Sequence, residues 1–121
     1  MTHYLRVLAL FAGLVSPVAA SAEFRSGNDL LALCSSESTV DQAVCLGFIS
    51  GVHDTILTAQ GLGLVSQAPG TGVCVPQGVD GVVAGQVQDI VVRHLETHPE
   101  KRHFTAANIA WQALFQAFPC L

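Results

Sequence analysis

Four cysteines constrain the fold of this chain more than any other feature of its sequence. They are Cys34, Cys45, Cys74 and Cys120, and the steps between them are 11, 29 and 46 residues. Zinc sites favour close pairs of cysteines such as Cys-x-x-Cys, and the sequence contains no such pair. An even number of cysteines in a small exported domain is typical of disulfides. We therefore expect two disulfides, for which three pairings are possible, and no metal.

The N-terminal segment indicates export. Residues 1–6 carry positive charge at Arg6 and at the amino terminus, and residues 7–15, VLALFAGLV, are apolar. Ala20 and Ala22 follow with the A-x-A spacing of a cleavage site. This order is typical of a secretory signal peptide, and the apolar run is about half the length of a membrane-spanning helix. We expect a signal peptide at residues 1–22 and a single mature domain at residues 23–121.

The charge balance of the mature domain excludes some partners. Losing Arg6 with the signal leaves nine acidic residues against four basic ones. The basic residues, Arg25, Arg93, Lys101 and Arg102, form no stripe along the sequence. Nucleic acids and anionic membranes are therefore poor partners. The low number of charges also favours an apolar surface that another protein covers.

Hydrophobic periodicity predicts an all-α domain of four helices. The first helix is expected to follow a cap at Asn28 or Asp29 and to end near Cys34. A capping box of Thr39 and Gln42 predicts the start of the second helix. The expected helices lie at about residues 29–34, 39–60, 82–98 and 105–118.

The second helix contains two glycines one turn apart, Gly47 and Gly51. Because glycine destabilises a helix, we expect another backbone to pack closely there, although simple tolerance of glycine is an alternative. Gly61 is expected to close this helix. The residues of its expected core stripe are Val44, Phe48, Val52, Ile56 and Ala59. The stripe of the third helix is expected to be Val83, Val87, Ile90, Val91 and Leu95.

A glycine-rich loop follows the second helix. The stretch GLGLVSQAPGTGVCVPQG contains five glycines and two prolines in 18 residues. Loops of this length in compact domains are often functional. Leu62, Leu64 and Val65 are apolar side chains that a solvated loop does not need. They are candidate partner contacts, and the alternative is that they fold back onto the core.

The groups of a hydrolase lie close together in the stretch VCLGFISGVHD. Ser50, His53 and Asp54 share one side of a helix, and Cys45 lies one turn before them. Adjacent residues such as His53 and Asp54 point about 100° apart, so they align poorly for a catalytic triad. The G-x-S-x-G elbow of many hydrolases is also missing. We therefore expect packing or surface roles for these residues and no enzyme activity.

Three histidines near the end of the third helix are candidate metal ligands. His94 and His98 have i, i+4 spacing, and His103 follows. Such a pair can bind zinc or copper, but no H-E-x-x-H motif or clear third ligand accompanies it. The alternative is surface histidines at a helix end, where their positive charge is favourable. We expect this alternative, with no metal and no cofactor.

Four segments together resemble a known family. They are SGNDLLALC, VCLGFISGVHD, CVPQGV and HLETHPEKRHFTAANIAWQALFQAFPC, which cover nearly the whole mature chain. These segments resemble the type VI secretion amidase immunity (Tai) family, whose members are also described as resistance-associated proteins. The resemblance implies an all-α periplasmic domain related in fold to the acid-stress chaperone HdeA. It also implies a protein that binds and blocks a peptidoglycan amidase. Because one loop is too small for a tight interface, helix surfaces must contribute to such binding, and a homodimer is one arrangement that would supply them.

Two functions therefore remain in consideration. The resemblance favours an immunity protein that inhibits a secreted amidase. The alternative is a periplasmic chaperone of acid stress, which the related fold and the histidines favour. A toxin gene next to this one would favour the first, and acid-triggered suppression of aggregation would favour the second.

The helix order favours one of the three disulfide pairings. The first helix ends near Cys34, and Cys45 lies in the second turn of the next helix. A link of ten residues lets the two helices fold back as a hairpin, which brings these sulfurs together. The pairing is then Cys34–Cys45 with Cys74–Cys120, and the second bridge ties the long loop to the end of the fourth helix.

Overall fold

The computed structural model describes residues 25–78 and 81–121, and its architecture is four packed α-helices. They are α1 (Gly27–Cys34), α2 (Thr39–Gly61), α3 (Ala84–Thr97) and α4 (Ala106–Ala117), with a 3-10 turn at Pro99–Lys101. Within the described residues, β-pairing consists of two isolated antiparallel bridges, Ser26 with Thr105 and Val73 with Pro119. The predicted all-α, four-helix class is confirmed. The predicted signal peptide at residues 1–22 lies outside the described residues.

A capping box begins α1, two or three residues earlier than expected. The Ser26 hydroxyl accepts a hydrogen bond from the Asp29 amide at 3.2 Å, and the Asp29 carboxylate accepts one from the Ser26 amide at 2.8 Å. Each side chain thus satisfies a backbone amide of the first turn. Asp29 is therefore the third helical residue and not the cap, and Asn28 lies inside the helix.

The cap of α2 also lies one residue before the predicted one. Ser38 occupies this position, and its hydroxyl accepts from the Asp41 amide at 3.4 Å. Thr39 is the first helical residue. The Gln42 side chain does not close a capping box but donates to the Ser36 carbonyl at 2.7 Å. The cap therefore comes from the serine-rich link between α1 and α2, whereas the T-x-x-Q pattern indicated a cap one residue later.

The end of α2 is a Schellman motif centred on Gly63. The Gly63 amide donates to the Gln60 carbonyl at 3.1 Å, and the Leu64 amide donates to the Ala59 carbonyl at 2.8 Å. Gly63 has φ of 68°, in the left-handed region that glycine adopts without strain. The prediction that Gly61 closes the helix was two residues early.

All four helices and the long loop contribute to one hydrophobic core. Its largest fully buried side chains are Leu30, Ile49, Ile56, Val73, Val87, Val91, Leu95, Ile109 and Leu114. Full burial of such a side chain contributes about 1.5–3 kcal/mol. The core meets α2 along a line slightly different from the predicted one: Cys45 and Ile49 are fully buried, whereas Val44 is exposed. Val83, which precedes α3, is also exposed, contrary to expectation.

Two disulfides hold the fold, and both have the predicted pairing. Cys34–Cys45 joins the end of α1 to α2, with a Cα–Cα distance of 5.1 Å. Cys74–Cys120 joins the loop to the C-terminal segment, with a Cα–Cα distance of 5.0 Å. In the chain-entropy model these closed loops contribute about 3 and about 4 kcal/mol respectively. The first bridge also fixes which side of α2 faces α1, which explains the shifted core line.

Arg102 connects three elements after the 3-10 turn. Its guanidinium donates to the Leu95 carbonyl at 2.6 Å and to the Glu96 carbonyl at 3.1 Å, which satisfies free carbonyls at the end of α3. Its own carbonyl accepts from the Asn28 amide at 3.0 Å. A Cβ on Gly27 would lie 3.0 Å from the Arg102 backbone, so α1 begins in close contact with this segment.

Candidate protein-contact surface

The hydrolase-like residues of α2 do not form a catalytic triad. The His53 Nδ1 atom lies 3.4 Å from the Asp54 carboxylate, which is 76% exposed. The His53 Nε2 atom is buried without a hydrogen-bond partner among the described residues. A triad requires the second imidazole nitrogen to hold the proton of the nucleophile, and Ser50 makes no such bond here. Cys45, bonded to Cys34, has no free thiol.

The histidines at the end of α3 are arranged differently from the expected surface pair. His94 is buried, with 7% of its surface exposed, and its ring stacks on that of His98 with the centroids 4.0 Å apart. Burial is the main cause that lowers the pKa of His94, and the nearby charges of His98 and Lys101 add to it. Within the described chain, no three His, Cys, Asp or Glu side chains come together as a metal site requires.

The leucines of the glycine-rich loop point away from the core. Leu62 is 68% exposed and Leu64 is 74% exposed. Val65 instead is half-buried and packs against the core. A shallow cavity of about 330 Å³ lies beside Leu64, and its other lining residues are Asp54, Thr55, Thr58 and Ala59. The sequence analysis therefore identified two exposed apolar side chains, and the third belongs to the core.

These leucines continue a longer exposed surface, the α2 face. Its members follow one another every three or four residues, so they lie on one side of the helix. All of them are exposed, and none is charged. The α2 face consists of Val40, Val44, Gly47, Gly51, Thr55, Thr58 and Leu62.

The two glycines of the α2 face lie open. A Cβ built on Gly47 or Gly51 would meet nothing within 4 Å. The expectation that another backbone packs against them is therefore wrong for the described part of this chain. The Thr55 hydroxyl donates to the Gly51 carbonyl and the Thr58 hydroxyl to the Asp54 carbonyl, each at 2.8 Å. Because these hydroxyl donors are satisfied within the helix, a partner can cover the α2 face without having to accept hydrogen bonds from them.

One sequence signal would have revealed the α2 face. Apolar residues occur all round α2, on the buried side at Ile49 and Ile56 and on the exposed side at Val40 and Leu62. A helix that is apolar on every side is normally covered on every side. The sequence analysis assigned one stripe of α2 to the core and assigned no role to the apolar residues on the opposite side.

Trp111 and Phe115 pack against the core. Their rings are stacked with centroids 5.4 Å apart, and both are half-buried against the core. Within residues 25–78 and 81–121, no helix combines the length and the apolar character that crossing a membrane requires.

Comparisons with known proteins identify the family. None of the curated proteins and none of the solved structures matches the chain. A family model described as Rap1a immunity proteins matches residues 26–120. The matched range contains all four helices and both disulfides. The chain therefore belongs to the family of Rap1a immunity proteins.

Proposed function

We propose that this protein neutralises a secreted peptidoglycan amidase by binding it through the α2 face and Leu64. Family membership supports an immunity protein whose partner is a toxin. The single observation that carries the binding surface is the uncharged, exposed side of α2, which ends in two exposed leucines. The amidase class, delivery by type VI secretion and the periplasmic location rest on the sequence resemblance and the signal-like N-terminus.

The composition of the α2 face fits a protein partner. Four aliphatic side chains supply apolar contact area: Val40, Val44, Leu62 and Leu64. The two open glycines, Gly47 and Gly51, let a partner's backbone approach the helix axis. Asp54, beside this face, has a carboxylate that is 76% exposed and accessible to a basic group of the toxin, although it also contacts His53. The apolar centre with a polar edge is the usual anatomy of a protein interface.

The size of the α2 face favours two copies in the binding unit. A helix of 23 residues is about 34 Å long and about 10 Å wide, which gives a footprint of roughly 340 Å². A stable interface usually takes about 800 Å² from each partner. Two α2 faces side by side provide roughly 680 Å², close to this value. We therefore include a homodimer in the proposal.

Co-expression tests the function. The candidate amidase, best taken from the neighbouring gene, is directed to the periplasm with this protein or with an empty vector. We expect lysis with the empty vector and survival with the protein, and a Leu64→Asp variant should lose protection. Leu121→Asp is the matched control, because Leu121 is an exposed leucine that is not part of the α2 face.

Two results contradict the proposal. Equal lysis with and without the protein, together with no complex between the purified pair, would exclude immunity against that enzyme. Protection of unrelated proteins from aggregation at acidic pH, without any amidase binding, would favour the chaperone function instead.

A further inference from the structure

A buried imidazole lies where α3 meets α4. His94 is almost fully buried, and its Nε2 atom has no hydrogen-bond partner among the described residues. A surface cavity of about 270 Å³ opens beside it, and Arg93 and Gln116 also line this cavity. A neutral imidazole leaves one nitrogen unpaired here. The imidazolium would bury an N–H donor that has no acceptor, which is much less favourable.

His98 makes a positive charge at His94 more unfavourable. The two rings stack with centroids 4.0 Å apart, so two imidazolium groups would repel each other at short range. The His98 Nδ1 atom lies 2.9 Å from the His94 carbonyl, to which it donates, and 3.0 Å from the Thr97 hydroxyl. His98 is thus held against α3 and is not free to turn away while the helix end stays intact.

The other charged groups near His94 do not compensate. Burial, His98 and Lys101 each lower its pKa, and Glu100 alone opposes them. Helix α4, which packs on α3, contains no ionisable side chain. The ionisable groups of α1 and α2 are Asp29, whose carboxylate is bonded to Ser26, and Asp41, His53 and Asp54. None of these groups of α1 and α2 is among the causes that shift the pKa of His94.

The segment after His94 holds three helices together. We call residues 94–104 the α3 joint. Within it, Arg102 binds the carbonyls of Leu95 and Glu96, and its own carbonyl accepts from α1. The Phe104 carbonyl accepts from the Gly27 amide at 2.9 Å, and Thr105 caps α4 directly after the joint. A structural change at His94 would therefore affect the hydrogen bonds at the start of α1 and the cap at the start of α4.

We propose that acidification opens the α3 joint, with His94 as the proton-sensitive group. In the folded state burial and the stacked His98 disfavour the charged form of His94 and lower its pKa, whereas in the opened joint it takes up a proton near the ordinary histidine value of about 6.5. The open state then binds more protons, so closure is favoured above that pH and weakens below it. One proton changes the opening equilibrium by at most tenfold per pH unit. The device is separate from the α2 face.

Hydrogen exchange at single amides tests this device. The amides of His98, Phe104 and Gly27 donate to carbonyls that belong to or border the joint. After correction for the intrinsic effect of pH on exchange, we expect their opening constants to rise severalfold to tenfold per unit below about pH 6.5. Amides in the middle of α2, such as those of Ile49 and Ile56, should keep their protection over the same range.

Three variants separate His94 from the other histidines. His94→Phe removes the titrating group, so exchange of the joint should become independent of pH in this range. His103→Asn changes an exposed histidine, and His53→Phe changes the other histidine with a buried, unpaired Nε2; both should keep the wild-type pH dependence. If His94→Phe does not fold, His98→Asn serves instead: removing the neighbouring charge brings the folded-state pKa of His94 closer to its ordinary value, so the total rise in opening below about pH 6.5 should be smaller than in the wild type.

The outcomes decide the proposal directly. Unchanged protection of the three joint amides between about pH 7.5 and about pH 5 would overturn it. So would a His94→Phe variant that keeps the full pH dependence, or a His53→Phe variant that abolishes it. Loss of protection in α2 at the same pH as in the joint would indicate general acid unfolding, which also contradicts the proposal.

Discussion

The side chain of Gln60 pairs with the backbone of Val75 through both of its amide atoms. Its Oε1 atom accepts from the Val75 amide at 3.0 Å, and its Nε2 atom lies 3.4 Å from the Val75 carbonyl, to which it donates. Gln60 and Val75 are both buried. The side chain thus supplies the two backbone hydrogen bonds that a neighbouring strand would supply in a sheet. It also connects the last turn of α2 to the segment beside Cys74.

Replacing Gln60 should destabilise the protein strongly. A Gln60→Leu variant leaves a buried amide and a buried carbonyl of Val75 without partners, which costs about 1–3 kcal/mol for each group. We expect a total loss of about 3 kcal/mol in the free energy of unfolding, measured by denaturant titration without reductant. Gln67→Leu is the matched control, because its exposed side chain makes a single bond to the Gln60 carbonyl. An equal loss in the two variants would contradict this account of the loop.

The second disulfide should contribute more stability than the first. Cys74–Cys120 closes a loop with a sequence separation of 46, against 11 for Cys34–Cys45. The chain-entropy model predicts a loss of about 4 kcal/mol for the Cys74→Ser, Cys120→Ser pair and about 3 kcal/mol for the other pair. Thermal and denaturant unfolding of the two double variants measures this difference. A larger loss from the shorter loop would show that contacts made by the bridges outweigh chain entropy.

Gly51 and Gly72 should respond in opposite ways to the same substitution. Gly51→Ala places a methyl group in open space within a helix, so stability should rise by about 0.5–1 kcal/mol. A Cβ on Gly72 would lie 2.3 Å from the Ser66 carbonyl oxygen, so Gly72→Ala should destabilise by about 1–3 kcal/mol. Denaturant midpoints of the two variants give the comparison. A destabilised Gly51→Ala would mean that α2 is covered at this point.

Asp29 should make the start of α1 sensitive to acid. The hydrogen bond from the Ser26 backbone, followed by that from its hydroxyl, lowers the pKa of this carboxyl group below the ordinary value of 3.8. A lowered folded-state pKa means that the contribution is complete above the unfolded value and is lost as the pH falls through the folded one. Asp29→Asn should therefore be less stable than wild type at neutral pH, and the difference should shrink as the pH falls below about 4. A difference that stays constant with pH would exclude the charged cap.

The sequence predicted those features that depend on local pattern. The four helices follow from periodicity, and the disulfide pairing follows from the short link between Cys34 and Cys45. The helix caps were displaced by one or a few residues, because Ser26 and Ser38 compete with other capping residues nearby. Burial of His94 was missed because the pattern of α3 does not reveal how closely α4 packs on it. The α2 face was missed because α2 has apolar residues on all sides, so its sequence pattern does not indicate which side faces the core.

The proposed binding surface depends on the openness of α2 at its glycines. Gly51→Arg should keep the fold, because nothing lies within 4 Å of the added Cβ, but its side chain would obstruct a partner that packs on the helix. Gly85→Arg is the matched control, because Gly85 is an equally open helical glycine on α3, outside the α2 face. Circular dichroism and denaturant midpoints should show both variants folded, with neither less stable than wild type by more than about 0.5 kcal/mol.

Calorimetric titration of these proteins with the purified candidate amidase tests the central claim most directly. The account predicts that wild type and Gly85→Arg bind with the same affinity, and that Gly51→Arg binds at least about 100-fold more weakly, which corresponds to losing about 2.7 kcal/mol. Equal affinity of all three proteins would contradict the assignment of the α2 face as the toxin-binding surface.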